Sequence, residues 1–422
     1  RQRSCGSIAT QLMESSSMSS RFSIIALAVA AALPTVASAV DFSYSGFSTA
    51  AYAQSDTNDA SLGFTAQPES IDKGGSFKTD SKLGVQVTSK FNDMVSATVQ
   101  GVAYADLTGD WKPHLDWAYV RVQPTQSLSF RGGYLRAPTF MYSDSIFIGY
   151  ANTWVRAPME VYNLSPVFQI RGVDATYRTQ LGGFTVSINP YYGDSEVKLP
   201  GQDLDVPSWV GLATTVSYES FQFRVGYSKV ELGTTTNALV PLIAGLRAVP
   251  SAFCGACSAE ADRLDLEGLK VGNFNAGLQF DDGANFVATE YASASSDGNY
   301  IVPSRHGAYA TYGRRFGGFM PYATYAISRR DETMHSDAIP AAGPLAALNG
   351  GVNAALASGA TDQDTYSVGV RYELAAFSVV KGALVKLQFD RINPDGRGDL
   401  NQVTPGFDGN VNVLSASFDF IF

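Results

Sequence analysis

Histidine and cysteine often supply catalytic groups or metal ligands, and this chain has few of either. Its three histidines, His114, His306 and His335, are far apart and form neither a metal-ligand pair nor a Ser-His-acid set. The one close pair of cysteines is Cys254 and Cys257, and a zinc site needs four ligands. The sequence has no glycine-rich phosphate loop and no nucleophile elbow. We therefore predict no cofactor, no metal site and no enzymatic activity.

The cysteine pair fits two interpretations. The spacing in Phe-Cys-Gly-Ala-Cys allows a small disulfide loop at a surface turn, which an oxidising compartment favours, and it equally allows two free thiols. The third cysteine, Cys5, lies upstream of the predicted mature chain. The pair is therefore compatible with export without proving it.

Charged residues in and around residues 137–165 suggest another kind of chemistry, the selection of ions. This segment is long, aromatic and lightly charged, unlike a hydrophilic surface loop, and its acidic candidates are Asp144 and Glu160. Acidic groups that face basic groups across water create a transverse field that orients polar solutes and favours ions. The alternative for each charge is a solvated or salt-bridged residue without a selective role. The basic candidates are Lys82, Lys90, Arg121, Arg131, Arg136, Arg156, Arg171 and Arg224.

Placing these charges requires knowing in which solvent the chain folds, and the N-terminal region indicates export. From Met18 the sequence has a basic start at Arg21, an apolar run at 24–33 and small residues at 37–39, which is the pattern of a secretory signal peptide. The apolar run is about half of the ~20 residues that a membrane helix needs. We therefore predict cleavage near Val40 rather than a permanent anchor, and we exclude the segment before Met18 from fold reasoning.

The composition of the predicted mature part narrows the class of protein. Residues 1–39 contain three Arg and one Glu, so residues 40–422 carry 27 basic and 38 acidic groups, and nucleic acid is not an expected partner. Charged residues make up 16% of the chain, below the ~25% of soluble domains. The mean hydropathy is nevertheless −0.02, and after residue 39 no apolar stretch is long enough for a membrane helix. A transmembrane β-barrel explains both observations, because its strands alternate lipid-facing and water-facing residues.

Sixteen segments of alternating polarity, bounded by turn residues, run along residues 40–422. Even-numbered segments are followed by tight turns such as Glu219-Ser220 and Asp282-Gly283, and most odd-numbered segments are followed by longer loops. Short turns on one rim and long loops on the other are typical of outer-membrane barrels, with the short side periplasmic. The predicted fold class is all-β, a transmembrane antiparallel up-and-down barrel that forms one domain. The predicted strands are 41–53, 76–91, 94–106, 112–123, 127–136, 166–180, 183–192, 207–218, 221–231, 270–281, 284–294, 304–315, 318–329, 361–375, 381–391 and 410–422.

Individual segments have one apolar and one polar face. In the ninth segment Phe221, Phe223 and Val225 alternate with Gln222 and Arg224. A basic residue on the lipid face costs ~2–4 kcal/mol at the membrane midplane, so the charged face is assigned to the interior. A barrel of about sixteen to eighteen strands leaves an aqueous channel instead of a packed core.

The last segment carries a more specific pattern. It runs VNVLSASFDFIF, with Phe418, Phe420 and Phe422 on one face and Phe422 as the terminal residue. This resembles the C-terminal strand of outer-membrane barrels, which ends in an aromatic residue and is recognised by the assembly machinery. With the sixteen segments and the export signal, residues 40–422 resemble the Gram-negative general porin superfamily. The Pro-Glu-Phe-Gly-Gly stretch of its enterobacterial members is absent from the sequence.

The resemblance implies an outer-membrane channel for passive diffusion of ions and small hydrophilic solutes. Porins of this superfamily fold their third long loop inward, and 137–165 is the third long connection here, so Asp144 and Glu160 are expected to face the basic wall at a constriction. The alternative is a substrate-specific channel for a sugar or an anion on the same barrel. The resemblance also implies a homotrimer, contact with outer-membrane lipid and lipopolysaccharide, and a transient partner in the barrel assembly machinery.

Two other loops, 237–253 and 338–358, are Ala-rich and interrupted by Pro or Gly. We predict short helices or ordered turns there, over the external mouth of the barrel. A partner site in either loop has no support in the sequence.

Overall fold

The computed structural model describes most of the predicted mature chain. Residues 1–39, which include the predicted signal peptide, lie outside the described part. The barrel unit spans Asp41–Phe422. The described ranges are 40–64, 67–105, 109–165, 168–199, 202–233, 239–296, 298–331, 335–359, 362–374, 382–400, 402–407 and 409–422.

Sixteen antiparallel strands form a closed barrel, which confirms the predicted strand number and fold class. The first and last strands close the ring, with Phe47 opposite Ile421. All strands except β2, β3 and β18 belong to the barrel. In chain order the strands are β1 (Asp41–Ser55), β2 (Ala60–Phe64), β3 (Gln67–Ile71), β4 (Lys82–Lys90), β5 (Val95–Ala105), β6 (Trp111–Val122), β7 (Leu128–Arg136), β8 (Gln169–Leu181), β9 (Phe184–Leu199), β10 (Gln202–Tyr218), β11 (Phe221–Glu231), β12 (Lys270–Asp281), β13 (Asn285–Ser295), β14 (Arg305–Arg314), β15 (Phe319–Arg330), β16 (Gln363–Glu373), β17 (Ala383–Pro394), β18 (Gln402–Val403) and β19 (Val411–Ile421).

Alternation along the strands separates an apolar outer face from a polar inner face. In β17 the side chains of Val385 and Leu387 are exposed, whereas those of Lys386, Gln388 and Asp390 are buried. Successive side chains of a strand point to opposite sides of the sheet. Because the ring is closed, the buried polar side chains face its interior, which is the arrangement predicted from the sequence.

The connections at one rim are short and are stabilised locally. In the turn after β12 the Asp282 carboxylate accepts hydrogen bonds from the backbone N–H groups of Asn285 and Ala284 at 2.5 and 2.8 Å, and these bonds lower the pKa of Asp282. Gly283 in the same turn has a φ of +86°, a left-handed conformation that glycine adopts without strain. The predicted tight turn at 282–283 is therefore present.

The hairpin of β9 and β10 is longer than predicted. The predicted strands 183–192 and 207–218 leave 193–206 as a loop, but strand pairing continues through most of it. The pairing shifts register between Val206 and Trp209, where Pro207 has no backbone N–H to donate. The bulge thus accommodates a residue that ordinarily ends a strand.

A second, small sheet consists of β2, β3 and β18. It was not predicted, because strands of five and two residues are too short to show an alternating pattern. Its side chains Leu62 and Ile71 are fully buried. The sheet joins the connection between β1 and β4 to the connection between β17 and β19.

Helices occur only in the connections on the long-loop side, among the described residues. Leu246, Leu264 and Val352 form a buried cluster that we call the helical cap, which contains the Cys254–Cys257 disulfide. No helix in the described ranges is both long and apolar enough to cross a membrane. The helices are α1 (Met159–Tyr162), α2 (Val240–Arg247), α3 (Cys257–Leu264) and α4 (Ala346–Ser358).

Candidate functional site

The connection between β7 and β8, which we call the 137–165 segment, carries the aromatic side chains noted in the sequence. It contains short 3-10 turns at Ser143–Ser145 and Gly149–Ala151, followed by α1. Phe140, Phe147 and Trp154 are buried. Phe147 contacts Tyr104 of β5 and Trp154 contacts Tyr309 of β14, whereas Phe140 packs on Tyr162 within the segment.

Trp154 lies in the middle of the segment and is buried against the wall. Only 1% of its surface is exposed. Its indole N–H donates to the hydroxyls of Thr311 and Thr324, at 3.0 and 3.1 Å, and its ring meets Tyr142 and Tyr309 edge to face. These contacts attach the middle of the segment to β14 and β15, because a buried indole N–H that lost its partners would be destabilising.

A buried carboxylate on β13 holds both ends of the segment. Glu290 accepts a hydrogen bond from the backbone N–H of Met141 at 2.8 Å and another from the hydroxyl of Tyr162 at 2.9 Å. Tyr142 donates from its hydroxyl to Gln279 on β12 at 2.6 Å. The start and the end of the segment are therefore tied to neighbouring strands.

The segment approaches the wall closely at Gly149. A Cβ atom at this position would collide with the carboxylate of Asp419 on β19. The ammonium of Lys386 donates to the carbonyls of Gly149 and Trp154 at 2.6 and 2.8 Å, and it lies 3.4 Å from Asp419. Only glycine permits this distance, so the missing side chain at residue 149 fixes where the segment meets the wall.

Arg156 is enclosed between two carboxylates. It pairs with Asp80, just before β4, and lies 3.9 Å from Asp390 on β17. All three side chains are at least nine-tenths buried. Asp80 has a φ of +67°, which is uncommon for a residue other than glycine. Arg156 was expected to face water at the constriction. It serves instead as a buried ion-pair partner.

Glu160 is also buried instead of facing water. It accepts hydrogen bonds from the Gln363 amide at 2.7 Å and from the Thr365 hydroxyl on β16. Burial raises the pKa of this carboxyl, which lies in α1 outside the barrel strands, to about 6. The backbone of Glu160 approaches Gly307 on β14 so closely that a Cβ at residue 307 would collide with it.

The opposite half of the wall, from β6 to β11, encloses an open cavity of about 310 Å³ that we call the basic cavity. From the 137–165 segment only Pro138 and Asp144 reach it. Neutral polar side chains, among them Ser129, Asn189 and Thr215, line the remainder. The cavity therefore has a wet, polar lining, in contrast to the packed side. Its charged residues are Arg121, Arg131, Asp144, Arg178 and Arg224.

The four arginines of the basic cavity differ in their partners. Arg131 pairs with the buried carboxylate of Asp174, and its Nε lies 3.0 Å from that group. Arg224 donates to the carbonyl of Pro138 at 2.5 Å, while its Nε is buried without a hydrogen-bond partner. Arg121 and Arg178 are exposed and have no carboxylate partner within the described ranges. The cavity consequently has more positive than negative charge.

Two further predicted residues lie beneath the segment. Arg136 pairs with the buried Asp116 on β6 and lies over the ring of Phe147 at 4.5 Å. The ammonium of Lys82 is 5.7 Å from the centre of the same ring. Both side chains are almost fully buried, so they support the segment instead of lining the cavity.

Arg171 and Lys90 lie outside this arrangement. Arg171 pairs with Asp194 at 2.5 Å and occupies the same parity on β8 as the exposed Val173. It therefore faces away from the interior, because strand alternation places it on the side opposite to Asp174. Lys90 ends β4 and pairs at 2.8 Å with an exposed aspartate of the following turn.

Sequence reasoning missed Arg178, Asp174 and Glu290. Arg178 and Asp174 share the inward parity of β8, and the alternation of the predicted segment 166–180 contained this signal. Glu290 had no such signal, because its role depends on a tyrosine and a backbone N–H from far along the chain.

The aromatic residues of the last strand share one face, as predicted. The ring centres of Phe418 and Phe420 are 5.9 Å apart, and those of Phe420 and Phe422 are 5.8 Å apart. The backbone of Phe422 exchanges hydrogen bonds of 2.8 and 3.0 Å with Gly46 on β1. The terminal residue thus takes part in closing the ring.

Within the described part of the chain, no group of three or more His, Cys, Asp and Glu side chains is arranged to hold a metal. His306 contacts Asp331 and His335 contacts Asp337, each as an isolated pair.

Comparison with known proteins gives matches of fold. No protein-family model and no curated protein matches the chain. OmpF of Salmonella typhi, in complex with daunomycin, matches with 13% identity over 90% of this chain and 97% of that chain, at a TM-score of 0.52. OmpT expressed in the outer membrane of Vibrio cholerae matches with 12% identity over 92% and 99%, at a TM-score of 0.51. A trimer form of OmpT matches with 12% identity over 91% and 100%, at 0.51.

At identities this low, the likeness shows the fold alone. The closed barrel of sixteen antiparallel strands is a porin-like barrel of the outer-membrane type. This confirms the sixteen-stranded barrel fold that the resemblance implied.

Proposed function

We propose that this protein is an outer-membrane porin that forms a water-filled channel for passive diffusion of ions and small hydrophilic solutes. One observation carries the proposal. The barrel interior contains an open, polar cavity of about 310 Å³ next to a segment that is anchored to the other half of the wall. A barrel of about sixteen strands is wide enough to leave an aqueous channel when its interior is only partly filled.

The 137–165 segment is, in this proposal, an inward-folded constriction loop. Most of its anchors are inward-facing residues of β12 to β17, β19 and β1. Lys82 of β4, Arg136 of β7 and Arg224 of β11 add contacts from the other strands. A segment fixed in this way fills one side of the interior and leaves water on the other. Solutes then pass between Asp144 and the arginines of β6 to β11, which line the same cavity.

The charges at this passage support the transverse field expected from the sequence. Asp144 and Arg131 carry opposite charges and line the same cavity. Of the residues predicted for the constriction, Asp144, Arg121 and Arg131 face the cavity. Those beneath or within the segment hold it in place, and this group consists of Lys82, Arg136, Arg156 and Glu160.

Single-channel recording in planar bilayers tests the proposal. We expect stepwise conductance that rises in proportion to salt concentration and shows little saturation, as an open aqueous pore requires. The control is the same preparation unfolded by heating, which should give no steps. Absence of conductance from protein that is shown to be folded, or hydrolysis of lipid or peptide by it, would replace the channel with another function.

The location and assembly are part of the same proposal. We propose that residues 1–39 are removed on export, that Phe418, Phe420 and Phe422 are read by the barrel assembly machinery, and that the mature barrel is a homotrimer contacting lipid and lipopolysaccharide. The matching trimer form of OmpT supports the trimer. Mass spectrometry of the protein extracted from outer membranes checks the start near Val40, and cross-linking checks the trimer.

A further inference from the structure

We infer that the 137–165 segment has a second function, as an internal clasp that holds the barrel closed where its first and last strands meet. We call the pairing of β1 with β19 the seam. The inference goes beyond the proposed channel, because it concerns how the ring is held together and not what passes through it. It is carried by the place at which the segment contacts the wall and by the charges buried there.

The seam is the one pairing of the ring that joins distant parts of the chain. Every other pair of neighbours consists of consecutive barrel strands, whereas β1 and β19 come from opposite ends of the barrel unit. Thr49 and Asp419, which lie directly opposite each other across the seam, are 370 residues apart. Because the entropic cost of closing a loop rises with its length, the seam gains most from contacts beyond strand pairing.

The segment contacts both strands of the seam at one point. Its 3-10 turn Gly149–Ala151 contacts β1 and β19 alike. A Cβ atom at residue 149 would collide with the hydroxyl of Thr49 on β1 and with the carboxylate of Asp419 on β19. The Thr49 hydroxyl donates a hydrogen bond to that carboxylate across the seam. The turn therefore packs directly on the side-chain bond that joins the two strands.

A buried ion pair extends this contact to the next strand. Asp419 and Lys386 of β17 are almost completely buried, and the Lys386 ammonium lies 3.4 Å from the carboxylate. The same ammonium donates to the carbonyls of Gly149 and Trp154. The segment thus supplies two acceptors to a buried charge, and displacing it would leave that charge short of partners, which is destabilising.

Arg156 connects the two flanks of the seam. Its guanidinium pairs with Asp80, just before β4, and lies 3.9 Å from Asp390 on β17. In the ring β4 is the neighbour of β1, and β17 is the neighbour of β19. One side chain of the segment therefore bridges the strand beyond each side of the seam.

Contacts outside the ring reinforce the same place. The small sheet pairs β2, which follows β1, with β18, which precedes β19. Asp56 accepts hydrogen bonds from the backbone N–H and the side-chain amide of Asn412, at 2.9 and 2.6 Å. The small sheet thus supports the seam at the long-loop rim, and the segment supports it from the interior.

Two glycine variants test the clasp. Gly149→Ala places a methyl group against the seam. Gly307→Ala places one equally close to the backbone of Glu160, where the segment meets β14, away from the seam. The readout is amide hydrogen exchange of the folded protein in detergent, with mass spectrometry of peptides from β1, β19 and β14. Exchange at the seam measures how readily its two strands separate.

In Gly149→Ala, exchange in β1 and β19 should be about tenfold faster than in the wild type. A factor of ten corresponds to ~1.4 kcal/mol, which lies within the cost of overpacking a tight contact. Gly307→Ala should alter exchange in β14 and leave the seam unchanged. Wild-type exchange at the seam of folded Gly149→Ala, or equal acceleration there by both variants, would overturn the clasp.

A covalent lock keeps the clasp testable if Gly149→Ala does not fold. Ala53 and Ser415 are directly opposite across the seam, and such residues have Cα atoms about 4.5–5.5 Å apart, within the reach of a disulfide. In the background Ala53→Cys/Ser415→Cys, oxidised so that the lock forms, Gly149→Ala should recover folding and slow exchange at the seam. The lock should not change the exchange of Gly307→Ala in β14. Failure of a formed lock to rescue Gly149→Ala would refute the clasp.

Discussion

The two halves of the barrel interior are both lined by inward-facing polar side chains, but one half is packed and the other is open. On the half formed by β12 to β17, β19 and β1, inward-facing polar side chains bind the 137–165 segment. On the half formed by β6 to β11, similar side chains line the open basic cavity. Strand alternation produces both walls, so the difference arises from the segment that covers only one of them.

Two arginines, Arg156 and Arg121, show how the two halves differ. Arg156 is buried between the carboxylates of Asp80 and Asp390, where removal of one partner would leave an uncompensated charge. Arg121 is exposed in the basic cavity and has no carboxylate partner among the described residues. Both are inward charges of a porin-like barrel. The first stabilises structure, and the second is available to a solute.

Among the predicted variants, Trp154→Ala in the packed half should have the largest effect. Trp154→Ala should lower the free energy of unfolding by about 3–5 kcal/mol, as other buried Trp truncations do. Loss of its bonds to Thr311 and Thr324 should also release the segment, giving larger and noisier conductance. Denaturant titration in detergent and single-channel recording measure the two effects.

Trp209→Ala provides the matched control, since Trp209 is equally buried on β10 and contacts Tyr191 on the wall. It should be destabilising to a similar degree without the noisy conductance. If Trp154→Ala does not fold, Trp154→Phe keeps the ring and removes only the two hydrogen bonds. Unchanged current in a folded Trp154 variant would contradict the anchoring role.

The next effect concerns pH. Burial raises the pKa of Glu160 to about 6, above the ordinary value of 4.5, so the folded state holds the proton more tightly than the unfolded state. Stability should therefore fall by about 2 kcal/mol as pH rises from about 4.5 to 6, and remain constant on either side for this group. Glu160→Gln should remove this dependence, which denaturant titrations at pH 4 and pH 8 measure.

A pH dependence of the same size in wild type and Glu160→Gln would assign it to other groups. In that case Glu160 would ionise as readily in the folded protein as in the unfolded chain. The variant retains Gln363 and Thr365, the two hydrogen-bond partners of Glu160, so that only the ionisable group is removed.

The smallest expected effect is on ion selectivity and comes from a substitution in the basic cavity. Asp144→Asn removes the one carboxylate that lines the basic cavity, so anion preference should increase by a factor of about five or less. Asp93→Asn is the control, because Asp93 is an exposed turn residue paired with Lys90. Reversal potentials measure both. An unchanged reversal potential for Asp144→Asn would place Asp144 outside the ion path.

Much of the wall was predictable from the sequence. The alternation of Phe221, Gln222, Phe223 and Arg224 identifies a strand and both of its faces, because the period of two needs no information from distant residues. The same rule would have found Arg178 and would have placed Arg171 outside. Errors occurred where tertiary context overrode local signals, as in the extension of β10 through Pro207.

The interior of the barrel was less predictable. The aromatic and lightly charged composition of the 137–165 segment indicated that it is not an ordinary surface loop. Its partners Glu290, Lys386 and Asp419 are more than a hundred residues away in the chain. Their roles depend on the closed ring that brings β13, β17 and β19 to one side of the segment.

The sequence by itself therefore determined that sixteen strands form a barrel, and which side chains face its interior, because both follow from a local repeat in polarity. Only the tertiary structure decided which of the inward charges became buried and which remained in water. The physical reason is that burial depends on where the 137–165 segment lies, and close approach at Gly149 and Gly307 fixes that position. Arg156 and Arg121 are the same residue type, and their surroundings separate them.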